Sequence, residues 1–282
     1  MKFWQTLRQA GRFWVEDNAA YLSAAVAYYA LFSVAPLAVL AVDLSAIAYG
    51  EAAAQNRLAD FLENFIGPGA AQGVQNLVLQ VRQPAVNWWT GLLAFGLLLF
   101  TAANLFVQVQ KGLFMIWKLP PVPGVGVIHG TVSTYLAAIA MVVVVGLFGM
   151  TLLIGSTFLG FFIEWSGDWL PGGPLVWRLG DLVLMLCLVS LLVALTFRLL
   201  SERRIPWQKL WRGAVVTTLL LVLGKIAFAW YIYFMGSNLA TVYGAASSLI
   251  VFLIWVYYCA QILFLGAEVI RVDQEYPAAQ PA

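Results

Sequence analysis

The sequence predicts an all-α polytopic membrane protein, built as a six-helix transmembrane bundle with short amphipathic helices in the first outer loop. The composition is 62% hydrophobic and only 10% charged, whereas soluble domains average about 45–50% apolar and about 25% charged residues. Six apolar stretches are each long enough to cross a hydrocarbon core of about 30 Å, which takes about 20 helical residues. They lie near residues 24–48, 90–110, 131–161, 178–200, 212–235 and 245–267.

These stretches are predicted to be helices because backbone in lipid must satisfy its own hydrogen bonds. A membrane β-barrel would show short segments of alternating polarity. The continuously apolar run at 92–100 does not alternate. The stretch at 24–48 is too long for a signal-peptide core and contains Pro36 and Asp43, so we interpret it as the first span.

Residues 1–20 form an amphipathic element ahead of the membrane domain, which we assign to residues 21–270. Trp4, Leu7, Gly11 and Trp14 recur at helical spacing, and basic residues surround the other face. Tryptophan and basic side chains both favour the membrane interface, so the element is a helical anchor or, alternatively, a lipid sensor. Residues 271–282 are the predicted tail.

The loop at 49–89 carries two apolar stripes, at 58–66 and 74–81, separated by the break Gly67-Pro68-Gly69. Two short amphipathic helices joined by a turn are the natural interpretation. They would cap the bundle, or they would act as a lid over a cavity.

Charge predicts the orientation, because cytoplasmic loops carry an excess of lysine and arginine. Eleven of the 15 basic residues fall in the termini and in the second and fourth loops, three fall in the other loops, and Lys225 lies inside a span. We therefore expect a multi-pass protein of the bacterial inner (cytoplasmic) membrane with both termini in the cytoplasm.

Polar side chains gather on one face of three predicted spans, and a shared polar interior follows if those faces converge. These side chains either form hydrogen bonds between helices or line a substrate path. The path candidates are Tyr29, Ser33, Pro36, Asn104, Gln108, Tyr258 and Gln261. A cavity among the first, second and sixth spans would place a headgroup against them.

Three charged residues are predicted within or at the end of spans, namely Asp43, Lys225 and Glu268. A lone charge at mid-membrane costs at least about 3 kcal/mol, so such residues are functional candidates. Asp43 and Lys225 lie at similar depth and could pair. A snorkelling lysine and an interfacial aspartate are the alternative.

Most chemistry classes find no support in the sequence. With only Cys187, Cys259 and His129 available, no cluster of metal ligands and no catalytic triad is expected, and no cofactor or enzymatic activity is predicted. The net charge of +2 shows no nucleic-acid footprint. The acidic pairs Glu16-Asp17 and Asp273/Glu275 are interpreted as solvated flanks.

Three segments resemble the YihY/BrkB family of bacterial inner-membrane proteins. They are the opening at 17–37, the motif at 104–117 and the closing segment at 243–268. The uncharged second loop at 120–126 departs from the family, in which this loop is often strongly basic. The resemblance implies six spans with both ends inside.

Members of that family have been named virulence or serum-resistance factors, some are associated with lipopolysaccharide or lipid transport, and an old ribonuclease label exists. The sequence does not support the ribonuclease label, because it lacks a carboxylate or histidine cluster for metal-assisted cleavage. Two hypotheses remain. The first is a transporter or flippase for a lipid or glycolipid, and the second is a non-transporting scaffold that binds an envelope partner. Membrane lipids are the expected surroundings in both.

Overall fold

A computed structural model gives the fold and describes residues 2–33, 88–118, 132–148, 151, 173–201, 205–243 and 247–275. Within those ranges the secondary structure is entirely helical. The helices are α1 (Lys2–Glu16), α2 (Ala19–Ser33), α3 (Trp88–Ile116), α4 (Val132–Phe148), α5 (Gly173–Leu200), α6 (Trp207–Tyr243) and α7 (Ser247–Glu275).

Four of these helices contain segments long and apolar enough to cross a membrane, namely Leu99–Ile116, Val183–Leu200, Trp207–Met235 and Leu249–Gln274. The described parts of α2 and α4 are apolar but shorter. The all-α prediction is therefore confirmed for the described residues, and the four candidate spans agree with a polytopic membrane protein. The count of six spans stays a prediction, and the proposed helices of the 49–89 loop lie outside the described residues.

The outward face of α6 has the composition of a surface that faces lipid. Leu219, Leu223, Ile226, Trp230 and Tyr233 follow one another at helical spacing and are all exposed. In water, such a continuous apolar surface would be a liability, whereas in a bilayer it contacts acyl chains.

Helices α6 and α7 form an antiparallel pair whose seam is built from small residues. Cβ atoms added to Gly213 or Gly266 would overlap atoms of the facing helix, at Ile270 and Thr217 respectively. Without side chains at these two positions the backbones approach closely, which is how helices associate in lipid. The seam runs from Gly213 to Gly224, which faces the ring of Tyr258.

Helix α1 folds back onto α7 through a sharp turn at Asp17 and Asn18. Asn18 has a φ of 54°, a left-handed conformation that asparagine tolerates better than most residues. Ala10 of α1 then packs with Val269 and Val272 of α7. The two ends of the described chain therefore lie on one side of the bundle, as an even number of crossings requires. We call this side the α1 end.

Helix α7 continues to Glu275, so it extends five residues past the predicted domain boundary at residue 270. The core near its last turns is tightly packed. Leu113, Ile116, Phe197, Phe264 and Ile270 are all fully buried there or nearby.

Candidate functional site

A cavity of about 550 Å³ lies between helices α2 to α7, and it is the first candidate site. Each of the six helices contributes to its wall. Representative lining residues are Val26, Phe106, Met141, Leu186, Val222 and Val256. The volume falls in the range of small-molecule sites, which is roughly 300–1,000 Å³.

The walls of this central cavity are almost entirely apolar. The lining residues that carry an N–H, O–H or S–H group are Thr196, Thr218, Lys225, Trp255 and Cys259. The Thr196 hydroxyl donates to the Leu192 carbonyl oxygen at 2.9 Å. The Thr218 hydroxyl accepts a hydrogen bond from Ser190 at 3.0 Å. Both hydroxyls are therefore engaged within the protein, and the Lys225 ammonium is the charged group at the wall.

The predicted path residues on described helices do not line the cavity. Ser33 lies with its hydroxyl 2.7 Å from the Thr101 carbonyl oxygen and 2.9 Å from that of Tyr29, so α2 is joined to α3. Asn104 accepts a hydrogen bond from the Tyr135 hydroxyl at 3.1 Å, which joins α3 to α4.

The remaining path candidates lie at helix contacts or at the surface. The Tyr258 hydroxyl donates to the Leu220 carbonyl oxygen at 3.2 Å, and the Gln261 carbonyl oxygen accepts from the Trp14 indole at 3.2 Å. Tyr29 is 38% exposed, and Gln108 is half-buried. Pro36 and Asp43 lie outside the described residues, so the predicted Asp43–Lys225 pair stays a prediction, as does the path itself.

A buried charge cluster at the α1 end is the second candidate site, and we call it the Asp17 cluster. It consists of Asp17, Lys118, Glu268 and Arg271. One guanidinium nitrogen of Arg271, Nη1, pairs with a carboxylate oxygen of Asp17 and lies 3.4 Å from Glu268 Oε2. The Lys118 ammonium lies 3.8 Å from the other oxygen of Asp17.

The Asp17 cluster is enclosed on the side of α7, whereas the Lys118 side chain is 65% exposed. The side chain of Glu268 is fully buried and that of Arg271 is 8% exposed. The Arg271 guanidinium also lies 4.5 Å from the centre of the Phe13 ring, a cation–π contact. The second carboxylate oxygen of Glu268, Oε1, has no hydrogen-bond partner among the described residues.

The ion pairs at this end of the bundle correct the interpretation of two acidic residues, and they extend the prediction made for a third. Asp17 was interpreted as part of a solvated flank, but its side chain is only 16% exposed and it pairs with Arg271. Asp273, interpreted in the same way, is also only 16% exposed, and it pairs at 3.2 Å with Arg212, whose side chain is 71% exposed. Glu268 was a predicted site residue, while Arg271 was missed because it lies 254 positions from Asp17.

Two indole groups strengthen the same end of the bundle. Trp14 of α1 and Trp117, which follows α3, both donate hydrogen bonds to carbonyl oxygens of α7, and the second bond, to Ala267, is 3.0 Å long. Buried tryptophan usually finds such an acceptor. Together with the Asp17 cluster, these contacts fasten α1, α2 and α3 to α7.

Metal binding finds no support in the part of the chain that the structure describes, where no group of three or more histidine, cysteine, aspartate or glutamate side chains comes together. The arrangement therefore offers two kinds of chemistry. The cavity can hold an apolar body beside a cation, and the Asp17 cluster can hold helices together.

Comparisons with known proteins agree with this architecture. The family model described as "Virulence factor BrkB" matches residues 11–282. A UPF0761 membrane protein of Coxiella burnetii (strain Dugway 5J108-111) is 28% identical over 279 residues, covering 95% of this chain and 92% of the relative. No solved structure matches.

A UPF0761 membrane protein of Xanthomonas campestris pv. campestris (strain B100) is 26% identical over 272 residues, covering 92% of this chain. The chain spans 59% of the length of that relative. The family match covers nearly the whole chain, and the helices are those of a polytopic membrane protein. The chain belongs to the BrkB family of integral membrane proteins.

Proposed function

We propose that the protein transports or flips an amphipathic envelope substrate, such as a lipid or glycolipid, and that the substrate's apolar part occupies the central cavity. The observation that carries this proposal is the cavity of about 550 Å³ with apolar walls from six helices. Packed helices in proteins normally leave no gap of this size between them. An apolar space of this size between the helices of a membrane protein is a natural site for an acyl chain.

The position of the cavity supports movement as well as binding. Because α2 to α7 all contribute to its wall, a ligand that enters or leaves changes the packing of every helix it touches. Transport needs such a coupling between occupancy and helix arrangement. No covalent step is part of the proposal.

A lipid-translocation assay tests this proposal. The purified protein is reconstituted in vesicles with a trace of fluorescent phospholipid, and dithionite bleaching reports how fast the lipid changes leaflet. The double variant Val193→Phe/Ala260→Phe fills the cavity, and Leu223→Phe adds the same ring on the 62% exposed outer face of α6. We expect wild type and Leu223→Phe to accelerate exchange and the double variant to lose most of the acceleration.

The result that would overturn transport is equal exchange in wild-type, cavity-filled and protein-free vesicles. The second candidate function, a non-transporting scaffold, would then gain. One observation favours it already, because Asn104 and Tyr258 form hydrogen bonds to neighbouring helices. Polar groups that pair inside the bundle serve helix packing.

We further propose the inner membrane as the location, with both ends of the chain in the cytoplasm. The excess of basic residues in the termini and in the second and fourth loops supports this orientation, as does the position of both ends of the described chain on one side. In a variant with Cys187 and Cys259 replaced by alanine, Ala70→Cys should react with an impermeant thiol reagent added outside spheroplasts. Reaction of Ala278→Cys instead would reverse the orientation.

A further inference from the structure

The cavity has a charged group on one wall, and that group limits what the cavity can hold. On α6, the residues facing the cavity are Thr218, Leu221, Val222 and Lys225. They follow the i, i+3, i+4, i+7 spacing of a single helix face. Lys225 therefore lies on the cavity-facing row while remaining exposed, as are its neighbours Leu223 and Ile226 on the outward row.

Near Lys225, the described residues offer its ammonium group few hydrogen-bond acceptors or carboxylates. The cavity-lining hydroxyls of Thr196 and Thr218 are already hydrogen-bonded to protein atoms. In the part of the chain that the structure describes, the ion pairs formed by carboxylates go to Lys118, Arg212 and Arg271. The partner suggested by the sequence, Asp43, lies outside that part.

An ammonium group within a membrane span is costly, by about 3 kcal/mol or more. A negative charge brought by a ligand would offset that cost, and an ionised partner makes the stronger hydrogen bond. The apolar walls and the single cation thus complement two parts of one molecule, an acyl chain and an anionic group.

We propose that the cavity selects amphipaths with an anionic headgroup, and that Lys225 is the residue that binds this group. This inference rests on the proposed function and names the substrate class of that site. The occupant is an anionic membrane lipid, with its chain along Val222 and Trp255 and its phosphate or carboxylate at the Lys225 ammonium.

Brominated lipids test the proposal, because bromine quenches tryptophan fluorescence at short range and Trp255 lines the cavity. The probes are phosphatidylglycerol and diacylglycerol with identical dibrominated chains, titrated into detergent-solubilised protein. The signal from the cavity is the quenching lost in Trp255→Phe. We expect phosphatidylglycerol to quench Trp255 at a concentration at least about tenfold lower than diacylglycerol, as one charge-assisted contact implies.

Variants of Lys225 assign that preference to the charge. Lys225→Gln should remove the preference and leave diacylglycerol quenching unchanged, whereas Lys225→Arg should retain it. Size-exclusion profiles check that both variants fold. If Lys225→Gln unfolds the protein, Lys225→Met, which keeps the length and apolarity of the side chain, replaces it in the same titration.

Two outcomes would overturn the proposal, and they differ in what else they overturn. If wild type binds both lipids equally, or if the neutral variant keeps the preference, Lys225 does not select the headgroup, although the cavity still binds lipid. If neither lipid quenches Trp255, the cavity takes no lipid, and the proposed function fails together with this inference.

Discussion

The Asp17 cluster and the central cavity differ in how the helices contact one another, through specific polar groups in the first and through apolar walls around a space in the second. At the α1 end, charged and indole groups tie α1, the start of α2 and the end of α3 to α7, and the large side chains there are fully buried. Helices α2 to α7 instead surround a space of about 550 Å³ with apolar walls. Specific polar contacts hold one end of the bundle, while the cavity is bounded by non-directional apolar contacts.

This difference has a consequence for how the molecule tolerates change. A buried ion cluster stabilises only while all its members are present, because the loss of one strands the charge of another. A cavity wall can accept added volume, since there is space for it. Substitutions at the two regions should therefore differ in the size of their effect on stability.

The largest effect is expected from Arg271→Ala, which removes the cation shared by Asp17 and Glu268. Breaking a buried ion pair from one side costs about 3–5 kcal/mol, so the free energy of unfolding in detergent should fall by that order. The matched control is Arg212→Ala, which breaks the exposed pair with Asp273 and should cost about 0–1 kcal/mol. Equal losses in the two variants would remove the distinction between the cluster and an ordinary surface pair.

A smaller loss is expected at the seam between α6 and α7. In Gly213→Ala the new Cβ would overlap Ile270 and lie 2.8 Å from the Gly266 carbonyl oxygen, which belongs to the backbone and cannot rotate away. Overpacking of this kind costs about 1–3 kcal/mol.

The control for the seam is Gly96→Ala on α3, where the structure places no atom within 4 Å of the added Cβ. It should be neutral or slightly stabilising, because alanine favours helix by about 1 kcal/mol over glycine. Thermal unfolding of both variants in one detergent measures the difference. A stabilised Gly213→Ala would mean that the two helices are farther apart than described.

The smallest effect is expected at the cavity wall, and it sharpens the comparison most. Ala260→Leu adds volume where space exists, so the free energy of unfolding should change by less than about 1 kcal/mol. Ala267→Leu makes the same chemical change seven residues later, at a fully buried position in the packed core. It should cost about 1–3 kcal/mol, and similar values at both positions would argue that the cavity is packed in solution.

Helix class, the positions of four spans and the amphipathic α1 were predictable because each depends on local runs of apolar or charged residues. Glu268 was also predictable, since a charge next to an apolar run stands out. The burial of Asp17 was not, because its partner Arg271 is distant in sequence and Glu16 beside it is exposed.

The sequence predicted a polar-lined cavity among three spans, but the position and apolar lining of the observed cavity were not predictable, for a different reason. Val193, Val222 and Ala260 line it, yet they are indistinguishable in sequence from the apolar residues that pack tightly elsewhere. The α6–α7 seam did carry a signal, the four-residue spacing of Gly213 and Thr217, which is typical of close helix contacts. Lys225 was singled out by its charge alone, and only the helix positions place it on the cavity wall.

If the cavity holds a lipid, native mass spectrometry of the protein released from detergent should detect it. Wild type and Leu223→Phe should retain one lipid molecule per chain under activation energies that strip surface lipids. Val193→Phe/Ala260→Phe, which fills the cavity, should retain none. Lipid binding in the cavity is contradicted if the cavity-filled variant keeps the same bound lipid as wild type, or if wild type retains none.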